Sequence, residues 1–173
     1  MKIICIGRNY IDHIKELSNQ KPLNPVVFLK PDSSIIAKNQ NFIIPSFSNE
    51  IHHEVELVIK INKVGKHIDK FFSHKYYDEI GLGIDFTARD IQNNLKQKGH
   101  PWEKSKAFDN SCMVGNFLKK EKLEDISKIE FSLKKNNEIV QSGCSNDMLW
   151  KIDELISYAV SYTHLRAHET TCD

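Results

Sequence analysis

Short apolar runs dominate the first third of the chain, and they predict β-strands. Residues 2–6 are β-branched and apolar and end at Gly7, which is typical of a buried first strand. Residues 26–29 form a second apolar run, closed by a Lys-Pro-Asp turn signal. Residues 51–61 form the longest candidate, with side chains alternating between two faces. This part of the chain is therefore expected to be rich in strands.

Two helices are predicted, one after the first strand and one after a later strand. Residues 10–17 have the spacing of a helix. Residues 81–85 predict a strand that leads into a second helix, ending near residue 98. Thr87 and Asp90, three residues apart, predict a capping box that opens this second helix.

The last third of the chain predicts a hairpin and a closing helix. Residues 129–133 and 139–140 flank an Asn-Asn pair, and asparagine tolerates the left-handed turn conformation. Apolar residues at helical spacing over 148–159 predict an amphipathic helix. Many strands with few, short helices indicate a β-dominated α+β fold, in one domain over residues 1–160.

Residues 161–173 depart from this pattern. The run Ser-Tyr-Thr-His-Leu-Arg-Ala-His-Glu-Thr resembles a translated sequencing adapter, so we interpret the segment as a non-native tail. His164 and His168 are four residues apart, and the competing interpretation is a helical metal pair.

Charge and composition exclude several classes of protein. Lys and Arg number 24 against 23 Asp and Glu, a balance that argues against a dedicated nucleic-acid or anionic-membrane partner. The mean hydropathy of −0.45 leaves no membrane span. The cysteines are too scattered for a zinc site or a disulfide framework: Cys5, Cys112, Cys144 and Cys172. We therefore expect a cytoplasmic protein with reduced thiols.

Three carboxylates are candidates for a metal site. Glu54 and Glu56 share one face of a predicted strand, and Asp85 ends another strand. Oxygen ligands suit a hard cation such as Mg²⁺, or Mn²⁺. The same spacing also fits a polar strand face with a separate loop aspartate.

Two further features each have a functional interpretation and an ordinary structural one. His13 and Glu16 share a helix face, which suits a general base oriented by a carboxylate and equally a surface ion pair. Lys106 follows a Pro-Trp segment and is either a clamp for an anionic substrate group or a solvated lysine.

Taken together, these motifs resemble the fumarylacetoacetate hydrolase superfamily. They occur in the expected order: Arg8-Asn9-Tyr10 with His13 and Glu16, His53-Glu54-Val55-Glu56-Leu57, Gly83 to Gln92, and Lys98-Gly99-His100-Pro101-Trp102 with Lys106. The nearest branch contains small acylpyruvate hydrolases and oxaloacetate decarboxylases. The resemblance implies a mixed β-roll that assembles as a homodimer.

The resemblance also implies roles for individual residues. It makes Glu54, Glu56 and Asp85 the ligands of Mg²⁺ or Mn²⁺. His13 and Glu16 would activate water on a lid, with Lys106 beside the metal. The substrate would be a small 2-oxo acid, bound by Arg8, Tyr10, Arg89 and Gln92.

The implied activity is hydrolysis of a carbon–carbon bond in 3-acylpyruvates, together with decarboxylation of oxaloacetate. An isomerase or decarboxylase of dienedioates is an alternative within the superfamily. Family members continue with a Gly-Thr-Pro loop where this chain has its adapter-like segment. We therefore expect a carboxy-terminally truncated copy, for which an inactive metal-binding fragment is the remaining alternative.

Overall fold

The computed structural model describes residues 2–11, 21–167 and 170–172. The strands are β1 (Lys2–Gly7), β2 (Val26–Pro31), β3 (Ile51–Ile61), β4 (Tyr77–Ala88), β5 (Cys112–Lys119), β6 (Glu130–Lys135), β7 (Glu138–Cys144) and β8 (Thr170–Cys172). The α-helices are α1 (Lys70–Ser73), α2 (Arg89–Gln97), α3 (Glu103–Lys106) and α4 (Ile152–Tyr162). The predicted α+β class with strands predominating is confirmed.

Six strands form the main sheet in the order β2-β1-β8-β3-β4-β5, and β6 pairs with β7 as a separate hairpin. β3 and β4 pair antiparallel along nearly their whole length. Packing covers both faces of the central strands. Leu57, Ile59 and Ile61 pack with Leu155 and Ile156 of α4, whereas Val58 packs on the other face with Cys5. Burying two apolar faces around one sheet is the main source of stability for such a layered domain.

The hairpin confirms its turn prediction. Asn136 and Asn137 connect β6 to β7 with φ of 53° and 68°. Positive φ at both central residues is the requirement of the tight turn that joins twisted antiparallel strands.

The start of α2 differs from the prediction. Ala88 is the N-cap residue, and Thr87 still belongs to β4, so the capping box is wrong. The Asp90 carboxylate instead accepts the Ser48 hydroxyl at 2.6 Å and the Asn49 N–H at 3.0 Å. The Asp90 carboxylate therefore binds groups that are distant in sequence and does not form the predicted capping box.

The closing helix begins later than its apolar pattern predicts. α4 starts at Ile152, although Met148 is buried in the same core. Asn9 accounts for the delay, because its carbonyl accepts the Leu149 N–H at 2.7 Å and its side-chain oxygen accepts the Trp150 N–H at 2.9 Å. These bonds hold the segment before α4 in a non-helical conformation.

Most of the helix predicted over 10–17 lies outside the described residues, as do His13 and Glu16. Of the adapter-like segment, residues 161–167 and 170–172 are described. Leu165 is fully buried and bridges to Gly65, and β8 pairs with both β1 and β3. The foreign origin of this segment stays a prediction from its sequence.

Within the described ranges, none of the helices has the length and apolar character needed to cross a bilayer. Cys5 and Cys144 are free thiols.

Candidate metal and substrate site

The pairing of β3 with β4 brings the three acidic side chains together. Glu54 lies directly opposite Asp85, and Glu56 lies opposite Gly83. Opposed residues of an antiparallel pair project from the same face, so all three carboxylates share that face. One oxygen from each carboxylate lies within 4.8 Å of the other two. The separate loop aspartate of the alternative interpretation is therefore not what the structure shows.

Position 83, opposite Glu56, requires glycine because β3, β4 and β5 approach one another closely there. A Cβ at this position would lie 2.8 Å from both the Val58 side chain and the Met113 carbonyl oxygen. Any larger residue would push against β5 or against the face that carries the carboxylates.

Glu56 shows why this cluster suits a cation. Only 9% of the residue is exposed, and its Oε2 has no hydrogen-bond partner in the described part of the chain. Burial, followed by the nearby charge of Asp85, raises the pKa of Glu56 well above its ordinary value. A bound divalent cation would supply the missing partner, and three oxygen donors match what Mg²⁺ or Mn²⁺ prefers. The residues present therefore fit a metal.

Lys106 lies against the same cluster and is not a solvated lysine. Its side chain is 3% exposed, and Nζ donates to Glu54 Oε2 at 2.7 Å, Asp85 Oδ2 at 2.7 Å and Thr87 Oγ1 at 2.6 Å. Burial acts to lower the pKa of Lys106, but Asp85 and Glu54 outweigh it and raise the pKa above its usual range. The ammonium therefore remains charged at neutral pH.

Lys30, at the end of β2, was missed by the sequence interpretation. Its Nζ lies 2.8 Å from Asp85 Oδ1 and forms an ion pair with it. The angles at this contact are not those of a hydrogen bond. Lys30 Nζ also donates to Ser111 Oγ at 2.9 Å and to the Lys106 carbonyl. A lysine after an apolar run is also what a strand edge would carry, so no local signal distinguished this one as buried.

Arg89 and Gln92 lie one turn apart at the start of α2, which directly follows the strand that carries Asp85. Arg89 forms an ion pair with Glu54 and donates to the Gln92 side-chain carbonyl. Its Nε donates to His52 Nδ1 at 3.3 Å. Both residues are buried beside the carboxylates, and their predicted role as substrate ligands stays a prediction.

A cavity of about 280 Å³ opens over this face of the sheet. The predicted residues that line it are Arg8, Tyr10, Glu54, Glu56, Arg89, Gln92 and Lys106. Lys96, which the sequence interpretation did not select, also lines it, as does Trp102, which was named only as part of a motif.

The β6–β7 hairpin forms one wall of this cavity, through residues that include Phe131 and Gln141. Gln141 Oε1 accepts the backbone N–H of Val55 at 2.9 Å. Val55 lies between the two glutamates, so this bond ties the hairpin directly to the strand that carries them. Phe131 meets the Tyr10 ring edge to face at 6.2 Å.

Known proteins resemble this chain over most of its length. Residues 2–169 match the family model described as "Fumarylacetoacetate (FAA) hydrolase C-terminal". The oxaloacetate decarboxylase of Dictyostelium discoideum is 40% identical over 167 residues, covering 96% of this chain and 77% of that protein. The oxaloacetate tautomerase YcgM of Escherichia coli is 38% identical over 167 residues, covering 96% and 76%.

A solved structure of fumarylpyruvate hydrolase from Pseudomonas aeruginosa, in complex with Mn²⁺ and pyruvate, superposes with a TM-score of 0.91. It is 28% identical, and the match covers 99% of this chain and 76% of that one. The chain belongs to the fumarylacetoacetate hydrolase family, as its sequence motifs imply.

Proposed function

We propose that this protein is a divalent-cation-dependent enzyme that converts oxaloacetate, or a closely related 2-oxo acid, through its enolate. The observation that carries the proposal is the convergence of Glu54, Glu56 and Asp85 beneath a cavity, with the Lys106 ammonium among them. The names of the Dictyostelium and Escherichia relatives support oxaloacetate as the substrate.

A cation held by Glu54, Glu56 and Asp85 would act as a Lewis acid toward the oxo acid and stabilise negative charge that develops on it. Such ions bind through hard oxygen donors, which all three side chains offer. We propose Mg²⁺ or Mn²⁺, and the solved structure that contains Mn²⁺ supports this choice.

Lys106 has the properties of a fixed positive charge. It is buried, it stays protonated because its pKa is raised, and its Nζ lies within hydrogen-bond distance of two of the proposed ligands. Positive charge that is already oriented costs no reorganisation when an enolate oxygen develops charge. Lys30 holds Asp85 from the other side, and Arg89 holds Glu54, so both carboxylates are fixed in position.

Carbon–carbon hydrolysis of 3-acylpyruvates is the second candidate, and the fumarylpyruvate hydrolase similarity supports it. In that reaction His13, oriented by Glu16, would take a proton from water that attacks the distal carbonyl. Both residues lie outside the described part of the chain, so their role is a proposal from the family resemblance. The pyruvate enolate that leaves would be stabilised at the same site as the enolate of oxaloacetate.

The test is a side-by-side assay of the Mg²⁺-loaded and Mn²⁺-loaded protein on oxaloacetate, acetylpyruvate and fumarylpyruvate. Enol–keto conversion and decarboxylation of oxaloacetate are followed separately, with Glu56→Gln as the variant that removes one proposed ligand. We expect metal-dependent turnover of oxaloacetate that Glu56→Gln lowers strongly. Turnover that survives both chelation and Glu56→Gln would refute the proposal.

A further inference from the structure

Two cations in the cavity have no role in holding the carboxylate cluster. Arg8 and Lys96 both line it, as does the indole of Trp102. Arg8 Cζ lies 5.8 Å from the centroid of the Trp102 ring, and Lys96 Nζ lies 5.2 Å from the same centroid. Aromatic faces attract cations, so Trp102 holds two positive charges close to its ring in the cavity wall.

These charges differ from the other cations that line the cavity. Lys106 and Arg89 are each bound to Glu54, whereas neither Arg8 nor Lys96 forms an ion pair with any carboxylate of residues 2–11 and 21–167. Arg8 Nε is buried and has no hydrogen-bond acceptor in that same part of the chain. Asp147 also lines the cavity but is exposed, and it neutralises neither cation by direct contact.

The two cations are close enough to repel each other. Burial, followed by the charge of Arg8, lowers the pKa of Lys96 to about 8. Lys96 is therefore still mostly protonated at pH 7. An anion bound beside both groups would relieve this repulsion and satisfy the buried Arg8 N–H.

Contacts with two aromatic rings connect this pair to Lys106 of the metal cluster. Lys106 Nζ lies 5.3 Å from the centroid of Phe28, whose ring centroid is 6.2 Å from that of Trp102. Arg8, Lys96 and Trp102 line the same cavity as Glu54, Glu56 and Lys106, and the charges of Lys106 and Glu54 act on the pKa of Lys96. A ligand whose 2-oxo acid group lies at the cluster therefore shares this cavity with the two cations.

We propose that Arg8 and Lys96, held at the ring of Trp102, form a subsite for the second carboxylate of a dicarboxylic 2-oxo acid. This inference rests on the proposed function, because it takes the first carboxylate and the 2-oxo group to lie at the cluster. It makes the enzyme selective for dicarboxylates over 2-oxo acids of equal length that end in a methyl group. Arg8 and Lys96 are specificity residues in this scheme and take no part in bond breaking.

The test uses two stable probes that differ only at the distal end: 2-oxoglutarate and 2-oxopentanoate. Dissociation constants are measured by calorimetry on the Mg²⁺-loaded protein, for the wild type, Lys96→Met, Lys96→Arg and the control Lys98→Met. Lys98 is exposed at the end of α2 and does not line the cavity. The binding readout does not depend on turnover.

We expect the wild type to bind 2-oxoglutarate about tenfold more tightly than 2-oxopentanoate, the usual worth of a charge-assisted hydrogen bond. Lys96→Met should reduce this ratio to about twofold by weakening 2-oxoglutarate alone, while Lys96→Arg and Lys98→Met preserve it. A wild-type ratio near one, or a ratio that Lys96→Met leaves unchanged, would overturn the subsite. So would equal weakening of both probes, because Lys96 would then bind the carboxylate that they share.

The same preparations are assayed for turnover of oxaloacetate, which separates this inference from the proposed function. Turnover without the binding preference refutes the subsite and leaves the reaction standing. The binding preference without turnover of any 2-oxo acid supports the subsite and refutes the reaction.

Discussion

Replacing Lys106 with methionine tests the electrostatics of the cluster most directly. The variant keeps an unbranched apolar side chain that is one atom shorter, and it removes the ammonium that donates to Glu54, Asp85 and Thr87. Removing one member of a buried ion pair costs about 3–5 kcal/mol, because the remaining charge stays buried without compensation. We therefore expect a large loss in the free energy of unfolding.

For Lys106→Met we expect the loss in the free energy of unfolding to be near the lower end of that range, at about 3 kcal/mol. Glu54 keeps its ion pair with Arg89, and Asp85 keeps Lys30 at 2.8 Å, so neither carboxylate becomes isolated. A domain of this kind has a total stability of about 5–15 kcal/mol, so the variant should still fold. Its cluster carries one more net negative charge than that of the wild type, so Mg²⁺ should stabilise it more than it stabilises the wild type.

The assay is urea unfolding of both proteins, in metal-free buffer and at saturating Mg²⁺. Lys104→Met is the matched control, since Lys104 lies in the same short helix and is exposed. It should change stability by no more than about 0.5 kcal/mol. Two results would refute the reasoning: a Lys106→Met protein as stable as the wild type without metal, or an equal gain from Mg²⁺ in both proteins.

Three further predictions concern Glu56, the β6–β7 hairpin and the proposed base His13. The pKa of Glu56 is raised in the folded state, so the contribution of Glu56 to metal-free stability should be fully present below the ordinary glutamate pKa and be lost as the pH rises through the raised value. Glu56→Gln should remove this slope in pH-dependent urea titrations, and an unchanged slope would assign it to another group. Gln141→Ala leaves the Val55 N–H without its acceptor and should cost about 1–3 kcal/mol, with faster hydrogen exchange across β6 and β7. The exposed Gln97→Ala is its control, and equal protection of the hairpin in both variants would argue against the anchor. His13→Ala should slow acylpyruvate hydrolysis ~10²–10⁴-fold, and an unaltered rate would remove His13 from that mechanism.

The alternation within β3 was readable from the sequence because side-chain direction in a strand has a period of two. It placed Glu54 and Glu56 on one face, and the asparagine pair predicted the β6–β7 turn. The family motifs carried the remaining site residues, since their order along the chain is visible without any structure. Local pattern and motif order therefore determined the strands, the family and the candidate ligands.

Only tertiary structure decided which charges meet. The register of β3 against β4 places Asp85 opposite Glu54, and no property of either strand alone specifies that register. Lys30 of β2 is buried against Asp85 of β4, a strand far along the chain. Lys96 of α2 approaches Trp102, which lies outside that helix. Asp90 shows the same limit, because its local capping pattern was overridden by Ser48. Sequence determines what each segment prefers, whereas the pairing of distant charged groups depends on the complete fold that brings them within bonding distance.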